Sequence, residues 1–100
     1  MSRVFHIYIV TNRYHSVLYT GVTSNLRARI RQHKSKHYPD SFTARYNASK
    51  LVYYEEFPRI MDAIKREKQI KAGSRKKKLI LINTLNPDWN DLSLDWDAES

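Results

Sequence analysis

The sequence predicts an α+β domain, a small three-stranded sheet, antiparallel or mixed, flanked by helices. Two observations lead there. The local signals run ββ-α-β-α-α, an order that packs helices against one sheet instead of alternating them with parallel strands. The length of 100 residues makes one domain, and a hydrophobic fraction of 41% with twelve aromatic residues is enough to give it a core.

Each element has its own signal. "RVFHIYIVT" (3–11) carries two interleaved rows, Phe5-Ile7-Ile9 and Val4-His6-Tyr8-Val10, and reads as a strand covered on both faces. "NRYHS" is a polar turn, and "VLYTGV" (17–22) is a second strand completing a hairpin, with Gly21 marking the turn into the next helix. Thr23 or Ser24 can cap that helix, expected over 25–36. A polar connection (37–49) has room for one helical turn near 42–46, and "KLVYYEEF" (50–57) is the third strand. Pro58 suits a first helical position, opening a helix through Ala72. Gly73 ends it, and Ser74 can cap a last helix, 75–85, that stops before Asn86-Pro87. The folded domain is expected over residues 1–92, with 93–100 an acidic C-terminal tail.

Absences narrow the chemistry. The chain has no cysteine, which excludes disulfides, thiolate metal sites and a cysteine nucleophile. It shows no phosphate-cradling glycine loop, no HExxH and no serine in a nucleophile elbow. Nothing reads as a signal peptide or a bilayer span, so a cytoplasmic location without a membrane partner is expected.

Charge is the stronger signal. Residues 1–87 hold all eighteen Lys/Arg against Asp40, Glu55, Glu56, Asp62 and Glu67, a net of +13. Residues 88–100 hold five acids and no base, a net of −5. A body this basic attracts polyanions, nucleic acid foremost, a solvated basic surface being the alternative.

On the 60–72 helix, Ile60, Ala63, Ile64 and Ile70 share one face, and Glu67 falls inside that stripe. A carboxylate aimed at a core must be paired, hydrogen-bonded or holding a metal. A buried ion pair with an arginine is as good a reading as a ligand role. On the first helix Leu26 and Ile30 set the apolar face. Arg29 and His33 lie beside it, one turn apart, toward the sheet that carries Tyr8 and Tyr19. Arg27, Arg31 and Lys34 cluster on another side, fit for phosphate contact or for water. Arg75, Lys76, Lys77 and Lys78 crowd the first turn of the last helix, where the macrodipole disfavours positive charge, as residues kept for an anionic ligand would. Together these are parts for cutting a phosphodiester: a glutamate for one divalent metal, an arginine for developing charge, and tyrosines and a histidine for protons.

"HIY" (6–8), followed eleven residues later by "YTG" (19–21), resembles the paired motifs of the GIY-YIG endonuclease family. The likeness extends through "SNLRARIRQH", "FTARYN", "LVYYE", "AIKREKQIK" and "NPDWNDL", from about Val4 to Leu92, and is strongest to small single-domain bacterial members of the excinuclease-like group. It implies a nuclease-like domain over 1–92. Tyr8 and Tyr19 fall on the family tyrosines, Arg29 on its arginine, His33 on a histidine of homing-type members, Glu67 on the metal-binding glutamate and Asn90 on the late asparagine, which would tie the tail to the site. His6 and Thr20 replace motif residues, and Val22 stands where repair-type members carry a lysine, whose part His33 can take. The resemblance implies a DNA endonuclease using one Mg2+ or Mn2+, with branched or damaged DNA among its substrates. A non-catalytic nucleic-acid-binding module of the same fold stays open, as does a homodimer or a targeting partner protein.

Overall fold

The structure, a computed structural model, describes residues 3–96; Asp97 and Glu99 of the expected tail lie outside the described residues. The strands are β1 (Phe5–Thr11), β2 (Leu18–Thr23) and β3 (Lys50–Phe57), and the helices are α1 (Leu26–Ser35), α2 (Phe42–Arg45), α3 (Ile60–Ala72) and α4 (Arg75–Leu85). Among the described residues they form one sheet in the order β2-β1-β3, antiparallel at both junctions. The sheet is therefore antiparallel, not mixed.

The two rows of β1 explain the layering. Ile7 and Ile9 face α3 and α4, packing with Val52, Tyr53, Ala63, Ile70 and Ile82. Tyr8 and Val10 face the other way, packing with Leu26 and Ile30 of α1, Ala48 and Leu51. A strand with apolar side chains on both faces can only be central, and β1 is. The β1–β3 register slips between Ile9 and Val10, whose partners are Tyr53 and Leu51, so β3 carries one extra residue there. The bulge puts consecutive Val52 and Tyr53 on the same face.

Local capping shifts some expected boundaries. β2 runs on through Thr23, whose hydroxyl accepts from the Asn25 N–H at 3.0 Å; Asn25, not Thr23 or Ser24, caps α1 by accepting from the Ala28 N–H. Lys36 ends α1 in the left-handed region at φ 54°. The chain stays extended at Arg59, so α3 starts at Ile60 and Pro58 is not its first residue. Ile60 is consequently exposed, while Ala63 and Ile70 are buried. Ser74 caps α4 as expected, accepting from the Lys77 N–H.

The segment after α4 is packed onto the sheet. Buried Asn86 donates from its side chain to the carbonyls of Val52 (3.2 Å) and Asn90 (2.8 Å), and accepts from the Asn90 N–H (3.0 Å). Asn90 itself contributes its backbone, so the side chain that ties this segment down is Asn86. The resemblance names Asn90; the side-chain hydrogen bonds that hold this segment come from Asn86, which reaches the Val52 carbonyl of β3. Leu92 N–H donates to the Leu51 carbonyl, Ser93 is buried, and Trp96 packs beside Leu92 on the α1 face, so packing continues to the last described residue. No helix among the described residues is long and apolar enough to cross a membrane.

Replacing Asn86 with alanine leaves the Val52 and Asn90 groups without their partner. The expected loss is about 1–3 kcal/mol of unfolding free energy, read from the midpoint of urea unfolding, whereas Asn90→Ala should fall near the parent.

Candidate active site

Tyr8 and Tyr19 project from the same face of the sheet, because β1 and β2 pair Tyr8 with Gly21 and Val10 with Tyr19. Gly21 lies inside β2, with no positive φ, so it does not mark a turn. Its role is steric. A Cβ at this position would fall on the Tyr8 phenol ring, 2.8 Å from Cε1 and closer still to Cζ and Oη. The missing side chain lets a 1%-exposed tyrosine lay its ring across the neighbouring strand.

The phenol then meets α1. Tyr8 Oη lies 2.9 Å from His33 Nε2, and His33 Nδ1 lies 2.9 Å from Thr43 Oγ1 on α2, which in turn is 3.3 Å from Ser41 Oγ. Burial, reinforced by the Arg29 charge, drives the His33 pKa down to about 4, so the imidazole is neutral near pH 7. Burial also pushes the Tyr8 phenol well above its usual range; the Tyr19 and Glu67 charges add to this and Arg29 opposes it. A phenol that keeps its proton is a donor, so Tyr8 donates to Nε2 and the Nδ1–H donates to Thr43.

Around this chain lies a pocket of about 290 Å³, lined by Tyr19, Arg29, His33, Lys36, Tyr38 and Phe42 among others. Tyr19 stacks on Phe42 with centroids 6.2 Å apart, and Phe42 meets Tyr46 at 4.7 Å. Tyr38, Phe42 and Tyr46 are exposed. Three exposed rings thus fall within nine residues, Tyr38 and Phe42 lining the pocket and Tyr46 against Phe42, which the sequence reading of this segment did not single out.

Glu67 approaches from α3, its carboxylate largely covered and 3.2 Å from Lys71 Nζ. That ammonium stands 6.0 Å from the Tyr19 ring centroid, and the Glu67 charge is felt at Tyr8. Glu67 is thus paired with a lysine of its own helix, not with an arginine. Lys71 brings to the Tyr19 side of the site the amine that Val22 does not supply; its i,i+4 spacing from Glu67 was the signal available in sequence. The adjacent Arg66 grips Glu55 of β3 through Nε at 3.0 and 3.2 Å and through an NH2 group at 3.0 Å, and Glu55 also accepts from the Tyr53 hydroxyl. This clamp ties α3 to β3 alongside the buried packing of Ala63 and Ile70.

The cations are distributed differently from expectation. Arg31 is exposed, but Lys34 pairs with Asp91 at 2.6 Å and Arg27 lies 5.5 Å from the Trp96 ring centroid, both engaged by the C-terminal segment. Burial raises the Asp91 pKa, but the Lys34 and Ser93 hydrogen bonds outweigh it and hold the carboxyl below its usual range. Lys76 and Lys77 are exposed, Lys78 is half-buried, and Arg75 donates to the His15 carbonyl at 2.7 Å.

The model of the GIY-YIG catalytic domain matches residues 4–80. The chain belongs to the GIY-YIG family. A UPF0213 protein of Syntrophus aciditrophicus is 41% identical over 71 residues, covering 71% of this chain and 80% of that protein. One from Staphylococcus haemolyticus is 39% identical over 81 residues, covering 77% and 92%. The solution NMR structure of the UPF0213 protein BH0048 from Bacillus halodurans superposes with a TM-score of 0.56 at 29% identity, covering 91% of this chain and 96% of that one. This GIY-YIG domain thus has a nuclease-type fold: Tyr19, Arg29 and His33 line one pocket, Tyr8 lies buried behind it against His33, and the Glu67 charge reaches Tyr8 from α3.

Two outcomes follow from the geometry. Gly21→Ala should cost about 1–3 kcal/mol by overpacking against Tyr8 and move the His33 titration, followed by NMR, from about 4 toward the ordinary 6.5. In the parent, the unfolded chain binds the His33 proton between these two values while the folded chain does not, so stability rises with pH across that window. His33→Gln should flatten the dependence of the urea midpoint on pH between about 4 and 6.5.

Proposed function

We propose that this protein is a metal-dependent endonuclease that hydrolyses phosphodiester bonds in DNA. The observation that carries the reading is a phenol–imidazole–hydroxyl chain beside an arginine, within electrostatic reach of a lysine-held carboxylate, in a strongly basic domain. Among the described residues no group of three or more His, Asp or Glu could cage a metal. A single carboxylate suits Mg2+ or Mn2+, which take their other ligands from phosphate oxygens and water. Glu67 would hold that ion, which when bound supplies Lewis-acid charge at the scissile phosphate.

The remaining roles belong to the chain's own side chains. Tyr8, still protonated, cannot begin as a base. It can accept the proton of an attacking water as it passes its own to neutral His33 Nε2, with Thr43 holding the ring. Arg29 stabilises the charge gained by the phosphate, and Tyr19 orients the water from the facing side. Lys71 keeps Glu67 directed at the site. Asn90 belongs to the Asn86 tie and supports the tail, with no part in the chemistry. The rim rings Tyr38, Phe42 and Tyr46 offer π faces to unstacked bases, which favours branched or damaged DNA over an intact duplex. Lys76, Lys77 and Lys78 would contact backbone and carry no sequence information, as would Arg31; Arg27 and Lys34 could do so only after leaving the C-terminal segment.

Glu67→Ala should abolish nicking of plasmid and flap DNA in Mg2+ or Mn2+ while leaving gel-shift affinity near that of the parent. Cleavage by Glu67→Ala at the parent rate would end the proposal. Binding by the parent without any metal-dependent nick would favour a non-catalytic binding module.

A further inference from the structure

The tip of the β1–β2 hairpin is held more firmly than a surface turn requires. Asn12 Oδ1 accepts from the Ser16 N–H at 2.9 Å, its amide donates to Ser16 Oγ at 2.7 Å, and the His15 N–H donates to the Asn12 carbonyl at 3.1 Å. His15 sits in the left-handed region at φ 55°, which costs energy in a residue other than glycine. Three separate elements fasten it there. Trp89, after α4, stacks on its ring with centroids 4.5 Å apart. Lys50 of β3 places Nζ 3.0 Å from His15 Nε2, and Arg75 of α4 donates to its carbonyl at 2.7 Å.

Next to this anchored residue Tyr14 is 80% exposed, with the Arg13 guanidinium 5.8 Å from its ring centroid. The segments meeting here bring Arg13, Lys50, Arg75 and Lys76, against Asp88 beside Trp89. Lys50 and Arg75 each have more N–H donors than their contacts to His15 use. The surface is also joined to the pocket along two routes. Tyr19 lies just beyond the hairpin on β2, and Lys71, which approaches Tyr19, is followed across Gly73-Ser74 by Arg75.

The geometry points to a second nucleic-acid contact site at this hairpin tip: Arg13, Lys50 and Arg75 take the backbone phosphates of the strand leaving the pocket, and Tyr14 stacks on an unpaired base of that strand. It rests on the nuclease reading and adds to it a direction for the substrate, along the α3–α4 side and past the hairpin. Two features favour this occupant over an acidic protein. The cations are spread across three elements, as a backbone with regularly spaced charges requires, and the exposed ring among them offers a face that any base can cover.

The test uses the full chain with EDTA present, so that binding is separated from cleavage, and a fluorescein-labelled duplex bearing a single-stranded flap of about 20 nucleotides, longer than one domain's footprint. Anisotropy gives affinity over a range of KCl concentrations. Tyr14→Ala should weaken binding about tenfold with its salt dependence unchanged, and Tyr14→Phe should restore it. Arg13→Ala should lower the slope of log affinity against log salt by about 0.7 to 0.9, the share of one phosphate. Parent-like binding by either Tyr14→Ala or Arg13→Ala overturns the hairpin site while the nuclease reading stands. If the parent itself binds no nucleic acid, both fall.

Discussion

The structure depends on one permitted approach, the Tyr8 ring lying across Gly21. A phenol on this face of β1 would ordinarily stand up from the sheet between its neighbours, as Val10 does against α1. Here the neighbouring strand offers no Cβ, the ring passes over it, and its oxygen arrives at His33. From there the chain of contacts runs through Thr43 to Ser41, so a single absent methyl joins β1, α1 and α2. Without that passage the imidazole would lose the buried partner that makes its neutral form useful.

The second constraint is charge. Placing this many cations on a small domain is tolerable only where water or partners receive them, and the molecule treats its faces differently. On the outer side of α1, Asp91 holds Lys34 and Trp96 covers Arg27. On the α3 side Arg66 is spent on Glu55, a structural use. Lys76 and Lys77, by contrast, stay exposed at the start of α4. The C-terminal segment thus engages Lys34 and Arg27 of α1 with the chain's own groups, while Arg31, Lys76 and Lys77 stay exposed.

Much of this was legible in sequence. Alternation in residues 3–11 announced a two-sided strand, and helical spacing alone placed Arg29 and His33 toward the tyrosines. What failed was information carried by distant parts of the chain. Gly21 looked like a turn glycine because no local signal says that a ring from another strand will cross it. Asn90 matched a motif, yet burial under the Val52 carbonyl selects Asn86. The partners of Lys34 and Arg27 lie 57 and 69 residues away, beyond any periodicity. Lys71 and Phe42 were readable as residue types, but their closeness to Tyr19 exists only once β2, α2 and α3 are assembled.

The central claim is that Glu67 and the tyrosine–histidine pocket form one site for a divalent cation. Paramagnetic Mn2+, titrated at substoichiometric amounts into the isotopically labelled protein, tests it most directly, because nearby nuclei broaden first. The account predicts that signals of Glu67, Lys71, Tyr8, Tyr19 and His33 fade together. Broadening confined to Asp88, Asp91 and Asp95, with the Glu67 and tyrosine signals intact, would contradict it.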